Sequence, residues 1–169
     1  WTGGTRLQMH GSNSLSVRVR IVGKGSVEIG SGNCFGCDVA PAFGDGTILI
    51  QPRGQEARVR IGENSSFSNN VAIICRDSIT IGNGCQIGDL VAIYDSDFHE
   101  LDPLLRNKSA GASAPVCLGN NVWLGSRVMV LKGVTIGDNT VVAAMSVVTK
   151  SLPANCVAAG VPARIVRDL

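Results

Sequence analysis

Few side chains of this 169-residue chain could do chemistry near neutral pH: two histidines, six cysteines and one dense group of carboxylates. His99 lies in the run Asp95-Ser96-Asp97-Phe98-His99-Glu100-Leu101-Asp102. An imidazole is the natural base for taking a proton from a hydroxyl or an amine. A carboxylate beside it can fix the ring tautomer and stabilise the imidazolium, a part open to Asp97 or Glu100. Asp95 and Asp102 are equally near in sequence, and a backbone carbonyl could orient the ring instead. With only His10 and His99, the chain falls short of the roughly three histidines a zinc site of the carbonic anhydrase kind would need. Cys34 and Cys37 form a lone CxxC without the second pair that structural zinc would take, so no metal is expected.

The elements that must hold His99 are written as a repeat. Residues 118–153 divide into LGNNVW, LGSRVM, VLKGVT, IGDNTV, VAAMSV and VTKSLP. The first residue of each hexad is aliphatic: Leu118, Leu124, Val130, Ile136, Val142 and Val148. The fifth is small or branched: Val122, Val128, Val134, Thr140 and Ser146. The same frame runs upstream through Ile81, Ile87 and Ile93, through Ile61, Phe67 and Ile73, and back to Ile29 and Phe35. A period of six suits neither a helix nor a meander of hairpins. It suits short strands separated by turns, each stacked on the strand one coil away. Glycines in second position (Gly119, Gly125, Gly137) and the asparagines after them read as turn residues that tolerate positive φ. Three hexads then make one 18-residue coil of a triangular prism with aliphatic ladders inside, an all-β parallel β-helix.

Length predicts one domain over 1–169, with a weakly patterned N-terminus over 1–16 and a C-terminal tail over 154–169. Pro41, Gly44, Gly46, Pro52 and Gly54 suggest an irregular excursion over about 42–58. His99 falls where the next inward residue is due, yet the frame returns only at Leu118. Residues 99–117 are therefore expected to leave the prism at a corner, with the small residues of SAGASAP free to swing. Loops carried by a rigid scaffold are common homes of functional groups. Cys85 falls on an inward fifth position, where a thiol is buried and inert, and the six cysteines read as reduced and structural. Alternation along the strands turns Trp123, Met129, Val141 and Val147 outward. Trp123 and Val141 share one face, and Met129 and Val147 another. Such apolar stripes imply an interface, a ligand groove or cover by the C-terminal tail.

Composition narrows the function classes. Hydrophobic residues at 44% and charged residues at 17% exclude a disordered tail. Glycine, 21 of 169, is well above its usual share of about 7% and fits a chain full of turns. No run approaches the ~18 apolar residues of a membrane helix, and no charged-then-apolar leader is visible, so neither an integral membrane segment nor secretion is expected. A scattered net charge of +2 gives no reason to expect a nucleic-acid partner.

Three pieces, YDSDFHELDP, GNNVWLGS and the VTKSLP to AGVPARIVR ending, resemble the hexapeptide-repeat acyltransferases that use acetyl-CoA. The similarity is greatest to the sugar O-acetyltransferases, which include galactoside and maltose acetyltransferases and enzymes that acetylate capsular or O-antigen polysaccharide. It is strongest over 59–167. The resemblance implies a left-handed coil, a homotrimer with active sites between neighbouring subunits, and a cytoplasmic enzyme with acetyl-CoA as co-substrate. By the same resemblance His99 takes the proton of an acceptor hydroxyl that attacks the thioester directly. The Ser126 amide would serve the oxyanion, and Trp123 would line the acceptor site, where an indole can stack on a sugar ring. Asn69 and Asn70 match the region of a sugar-contacting asparagine. Acetyl-CoA would lie past Ala144 and Thr149 on strand-edge amides, with Lys150 and Arg164 at its phosphates and Arg167 as a second candidate. The implied acceptor is a sugar hydroxyl of a cell-surface polysaccharide or its precursor. The alternatives are an amino sugar or other small amine, or a non-catalytic β-helix scaffold.

Overall fold

The computed structural model describes residues 4–169. They wind as six stacked coils of three short strands each. Coil 1 is Arg6–Met9, Ser14–Leu15 and Val19–Ile21; coil 2 is Ser26–Ile29, Cys34–Phe35 and Ile48–Pro52. Coil 3 is Arg58–Ile61, Ser66–Phe67 and Ala72–Cys75; coil 4 is Ser78–Ile81, Gln86–Ile87 and Ala92–Tyr94. Coil 5 is Val116–Leu118, Trp123–Leu124 and Met129–Val130; coil 6 is Thr135–Ile136, Val141–Val142 and Val147–Val148. The first, second and third strands of the coils stack into three sheets, faces 1, 2 and 3 of a left-handed parallel β-helix. Beyond coil 6, Cys156–Gly160 extends face 2 in parallel and Ala163–Asp168 returns antiparallel beside it. The tail is thus a hairpin on the edge of face 2, and it leaves Trp123 55% exposed.

The hexad rule works because stacking places like positions over one another. Ile29, Ile61, Ile81, Leu118 and Ile136 form the column inside face 1. Phe35, Phe67, Ile87, Leu124 and Val142 form that inside face 2. Ile50, Ile73, Ile93, Val130 and Val148 form that inside face 3. All are buried, and each such side chain stabilises the fold by roughly 1.5–3 kcal/mol through the water it sheds. Outside, Trp123 pairs with Val141 on face 2 and Met129 with Val147 on face 3, as the alternation requires.

The second-position glycines have a different reason from turn geometry. Gly119, Gly125 and Gly137 do not have positive φ. A Cβ on Gly125 would instead lie 2.7 Å from the amide nitrogen of Ala144 in the next coil, so glycine there permits coils to approach to the ~4.8 Å strand spacing. Positive φ falls two residues later. At the corner between faces 1 and 2 those positions are Asn64, Gly84, Asn121, Asn139 and Asn155, types suited to left-handed backbone. The side chains of Asn121, Asn139 and Asn155 also link by hydrogen bonds of 2.9 and 2.8 Å.

Three boundaries differ from the sequence reading. Within 42–58, Ile48–Pro52 is a regular strand with Ile48, Ile50 and Pro52 inward, so the excursion is confined to residues 37–46, between coil 2's second and third strands. Glycines and prolines cluster on both sides of that strand and hide its alternation. Residues 6–15 are not loose: Arg6–Met9 and Ser14–Leu15 pair in parallel with coil 2, while residues 1–3 lie outside the described residues. The late loop occupies 95–115, because Val116 is already inward and paired with Ile79.

Candidate active site

His99 is carried by the 95–115 loop, which leaves the corner between faces 3 and 1. Its root is Asp95, fully buried one step past Ile93. The Asp95 carboxylate accepts from the amide of Arg76 at 2.7 and 2.9 Å and from that of Asp77 at 2.7 Å, closing the same corner of coil 3. The two legs of the loop bridge at Ser96 and Ser113, and the Asp97 amide donates to Ala112 O at 2.9 Å. Lys132 of coil 5 grips the loop from the other side, its Nζ 2.8 Å from Asp97. Phe98, at φ 65°, packs edge-on against Tyr94 and beneath the Arg53 guanidinium, 4.6 Å from its ring centre. Gly111 is pinned rather than free to swing: a Cβ there would lie 2.3 Å from His99 O.

This scaffold presents the imidazole. His99 Nδ1 lies 3.0 Å from the backbone carbonyl of Arg106. A carbonyl can only accept, so Nδ1 carries the hydrogen and Nε2 is the basic nitrogen. The ring's partner in the structure is thus a carbonyl, the alternative that the sequence left open, and Asp97 and Glu100 are engaged elsewhere. Asp97 holds Lys132, and Glu100 accepts from Ser109 Oγ at 2.6 Å.

Of the other expected residues, Ser126 and Ala144 lie at the corner between faces 2 and 3, whereas Thr149 and Lys150 lie at the corner between faces 3 and 1. Ser126 and Ala144 occupy equivalent places in coils 5 and 6, and the Met145 amide donates to Ser126 O at 2.9 Å. The amides of Ser126 and Ala144 themselves donate to no acceptor among the described residues. Successive coils place Leu90, Arg127 and Met145 here with φ of 57°, 61° and 62°, types for which left-handed backbone is uncommon. Strain repeated in one column is often retained at functional sites. The Ser126 hydroxyl donates to Asp89, and Trp123 stands outward on the adjoining face 2. Thr149 and Lys150 follow the last strand of face 3, and Arg164 and Arg167 lie exposed on the final strand of the hairpin.

Asn69 and Asn70 have a local task. Asn69, buried, donates to Cys37 O and Ala40 O at 3.0 and 3.1 Å and accepts from the Cys37 amide at 3.0 Å. Asn70 exchanges a pair of bonds with the Phe43 backbone. Together they clamp the 37–46 excursion over the corner of faces 2 and 3, where Phe43 approaches Arg127. Cys85 is fully buried, and burial pushes its thiol up. Burial, with the Asp95 charge adding, does the same to Cys75. Among the described residues no three His, Cys, Asp or Glu side chains converge, and no helix is long and apolar enough to cross a membrane.

One chain holds these groups apart. His99 roots at one edge of face 3 and Ser126 sits at the other, six residues before Lys132. At ~3.3 Å per residue the two edges lie roughly 15–20 Å apart. The sequence reading missed Lys132 and Asp89; it named Asp95 only as a possible neighbour of His99, and it left a backbone carbonyl open as the ring's partner without saying which.

The bacterial transferase hexapeptide family, described by six repeats, matches residues 118–150. Galactoside O-acetyltransferase of Escherichia coli K12 is 41% identical over 113 residues, 67% of this chain but 55% of that protein, so the chain spans little more than half the length of this relative. WbbJ of the same strain, named for O-acetyl transfer in lipopolysaccharide biosynthesis, is 34% identical over 152 residues, 85% of this chain and 72% of that protein. A hexapeptide-repeat-containing acetyltransferase from Vibrio cholerae, solved in complex with acetyl-CoA, superposes with a TM-score of 0.63 at 32% identity, covering 82% of this chain and 70% of that one. The repeat, the anchored histidine loop and these likenesses together make the chain a member of the hexapeptide-repeat acetyltransferases.

Proposed function

We propose that the chain is an acetyl-CoA-dependent O-acetyltransferase acting on a sugar hydroxyl, with His99 as general base. One observation carries this: His99 is exposed on an anchored loop with Nδ1 committed to a carbonyl, which leaves Nε2 free to take a proton. Acetyl-CoA supplies the acyl carbonyl that the acceptor oxygen attacks. His99 Nε2 removes the acceptor proton and returns it to the departing sulfur. The Ser126 amide, without an internal acceptor, donates to the oxygen on which charge gathers. Ala144 and Thr149 offer amides to the pantetheine arm, and Lys150, Arg164 and Arg167 offer charge to the phosphates. Trp123, beside Ser126, forms the wall of the acceptor site. A cell-surface polysaccharide or its precursor is the acceptor class, in keeping with the relative named for lipopolysaccharide biosynthesis.

A second copy completes the site, the assembly being a homotrimer. The separation of His99 from Ser126 across face 3 supports this, as do the apolar residues Leu49, Ala72, Ala92, Met129 and Val147 stacked along that face. The test is thiol release from acetyl-CoA against a panel of saccharides. His99→Ala should lower turnover at least about a hundredfold, the scale of a lost general base, and mixing His99→Ala with Ser126→Pro chains should restore part of it. Undiminished turnover in His99→Ala would overturn the role of the base, and absence of restoration would overturn the shared site.

A further inference from the structure

A small cavity of about 190 Å³ opens at the corner of faces 3 and 1 beneath the loop, lined by Arg53, Gly54, Arg76, Phe98 and Ala110. Two arginines line it without a counter-charge: among the described residues neither makes a salt bridge. Two of the neighbouring acids are otherwise engaged. Asp95 is turned to the amides of Arg76 and Asp77, and Asp97 to Lys132. Arg53 donates Nε to Gln51 at 2.9 Å and stacks on Phe98, which leaves both its Nη groups free. Arg76 donates one Nη weakly, at 3.5 Å, to Gly111 O. Its Nε and second Nη remain unpaired. Gln51 and Phe98 thus orient Arg53, Gly111 O touches Arg76, and both forked cations keep donors to spare, the groups that recognise carboxylate or phosphate.

We propose that Arg53 and Arg76 form an anion subsite for an acidic substituent, carboxylate or phosphate, on the acceptor sugar. This rests on the acetyltransferase reading above. Position separates the subsite from the cofactor's phosphates. Arg53 belongs to coil 2 and Arg76 to coil 3, whereas Lys150 follows coil 6. Four coil steps of ~4.8 Å put Arg53 some 19 Å below Lys150. The His99 loop springs from coil 4, between them. A donor entering from coils 5 and 6 leaves the side toward coils 2 and 3 for the acceptor, and Phe98, the wall of the cavity, immediately precedes His99 in the chain. The volume is below the ~300 Å³ of a site for a whole drug-sized ligand, and it suits one charged substituent.

Direct binding tests this apart from turnover. Calorimetry on the intact protein with methyl β-D-glucuronide, methyl β-D-glucoside, glucose 6-phosphate and inorganic phosphate should show the charged sugars binding about tenfold to a hundredfold more tightly than the glucoside. Arg53→Gln and Arg76→Gln should each remove most of that preference, Arg53→Lys should retain part of it, and acetyl-CoA affinity should stay within about twofold. The glucuronide and phosphate arms tell which anion is preferred. Equal affinity for glucuronide and glucoside, or a preference that survives both Arg→Gln changes, would overturn the subsite. Weakened acetyl-CoA binding in those variants would overturn its assignment to the acceptor. Failure of every sugar to be acetylated while the Arg-dependent preference persists would instead overturn the acetyltransferase reading and leave the subsite standing.

Discussion

Replacing Asp95 by alanine should destabilise the protein and loosen the His99 loop together. The carboxylate is fully buried and accepts three bonds from two backbone amides, those of Arg76 and Asp77. Asp95→Ala leaves both amides without their acceptor. An orphaned buried group costs about 1–3 kcal/mol. Arg76 is half-buried and Asp77 exposed, so water can reach part of this corner and the lower half of that range applies to each. The expected loss is about 2–4 kcal/mol, which for a chain of this length lowers Tm by about 4–16 °C. Circular dichroism melts of wild type and variant measure it. Asp102→Ala is the control, because its carboxylate serves one amide, that of Leu104, in the exposed part of the loop, and such surface changes usually stay within about 0.5 kcal/mol. The Ala114 amide also donates to Asp95 O, so slack at this root should pass into the loop legs and lower kcat. A Tm within about 2 °C of wild type, or an equal drop in Asp102→Ala, would refute the reasoning.

The Lys132–Asp97 pair is a quarter to a third exposed on its side chains, so solvent screens it and its stability is worth no more than about 1 kcal/mol. Lys132→Ala should therefore shift Tm by less than about 4 °C while lowering kcat severalfold. A double-mutant cycle with Asp97→Asn should show the two losses to be shared, and additive effects on kcat would count against the pair. The thiols give a pH-dependent outcome. Cys34 and Cys117 are exposed and Cys37 half-buried, whereas Cys75, Cys85 and Cys156 are buried. Native labelling with a thiol reagent should mark the first group, and the second should react on unfolding alone. Cys75 and Cys85 have raised pKa values, so the folded state keeps both protonated where unfolded thiols, at about 8.5, have ionised. Unfolding then releases protons, and stability should fall as pH rises past about 9. A Cys75→Ala, Cys85→Ala double variant should show less of that alkaline decline; an unchanged decline would assign it to other groups.

How much of this was legible in the sequence depended on the kind of contact. The columns through Ile61, Ile81 and Leu118 could be read because an inward position needs nothing beyond an aliphatic residue at the right interval. The strand at Ile48–Pro52 could not. Its inward residues follow a ten-residue excursion, and Pro52, the last residue of the strand, looks like a breaker although a proline at a strand end is tolerated. Contacts that anchor the loop join residues 18 to 45 positions apart, as in Asp95 with Asp77 and Arg53 with Phe98. They emerge only when it is known which coil stacks on which.

The site divides along the same line. His99 was legible because imidazole is rare here and chemically distinct. Its partner was not, since a backbone carbonyl has no letter of its own: Arg106 is seven residues away, and only the turn of the loop brings its oxygen to Nδ1. Sequence proximity favoured Asp97 and Glu100, but a residue two before or one after a loop histidine is not thereby on its ring. The corner of faces 2 and 3 shows the converse. After Asn70 in coil 3, the column continues with Leu90, Arg127 and Met145, which carry no turn signal, whereas the matching column at the neighbouring corner is all asparagine and glycine. Left-handed backbone alone favours asparagine and glycine at both corners, and only coils 4 to 6 of this one depart from them. The larger side chains of coils 4 to 6 at one corner, beside the unpaired amides of Ser126 and Ala144, are what a ligand at that edge would account for under the function proposed above.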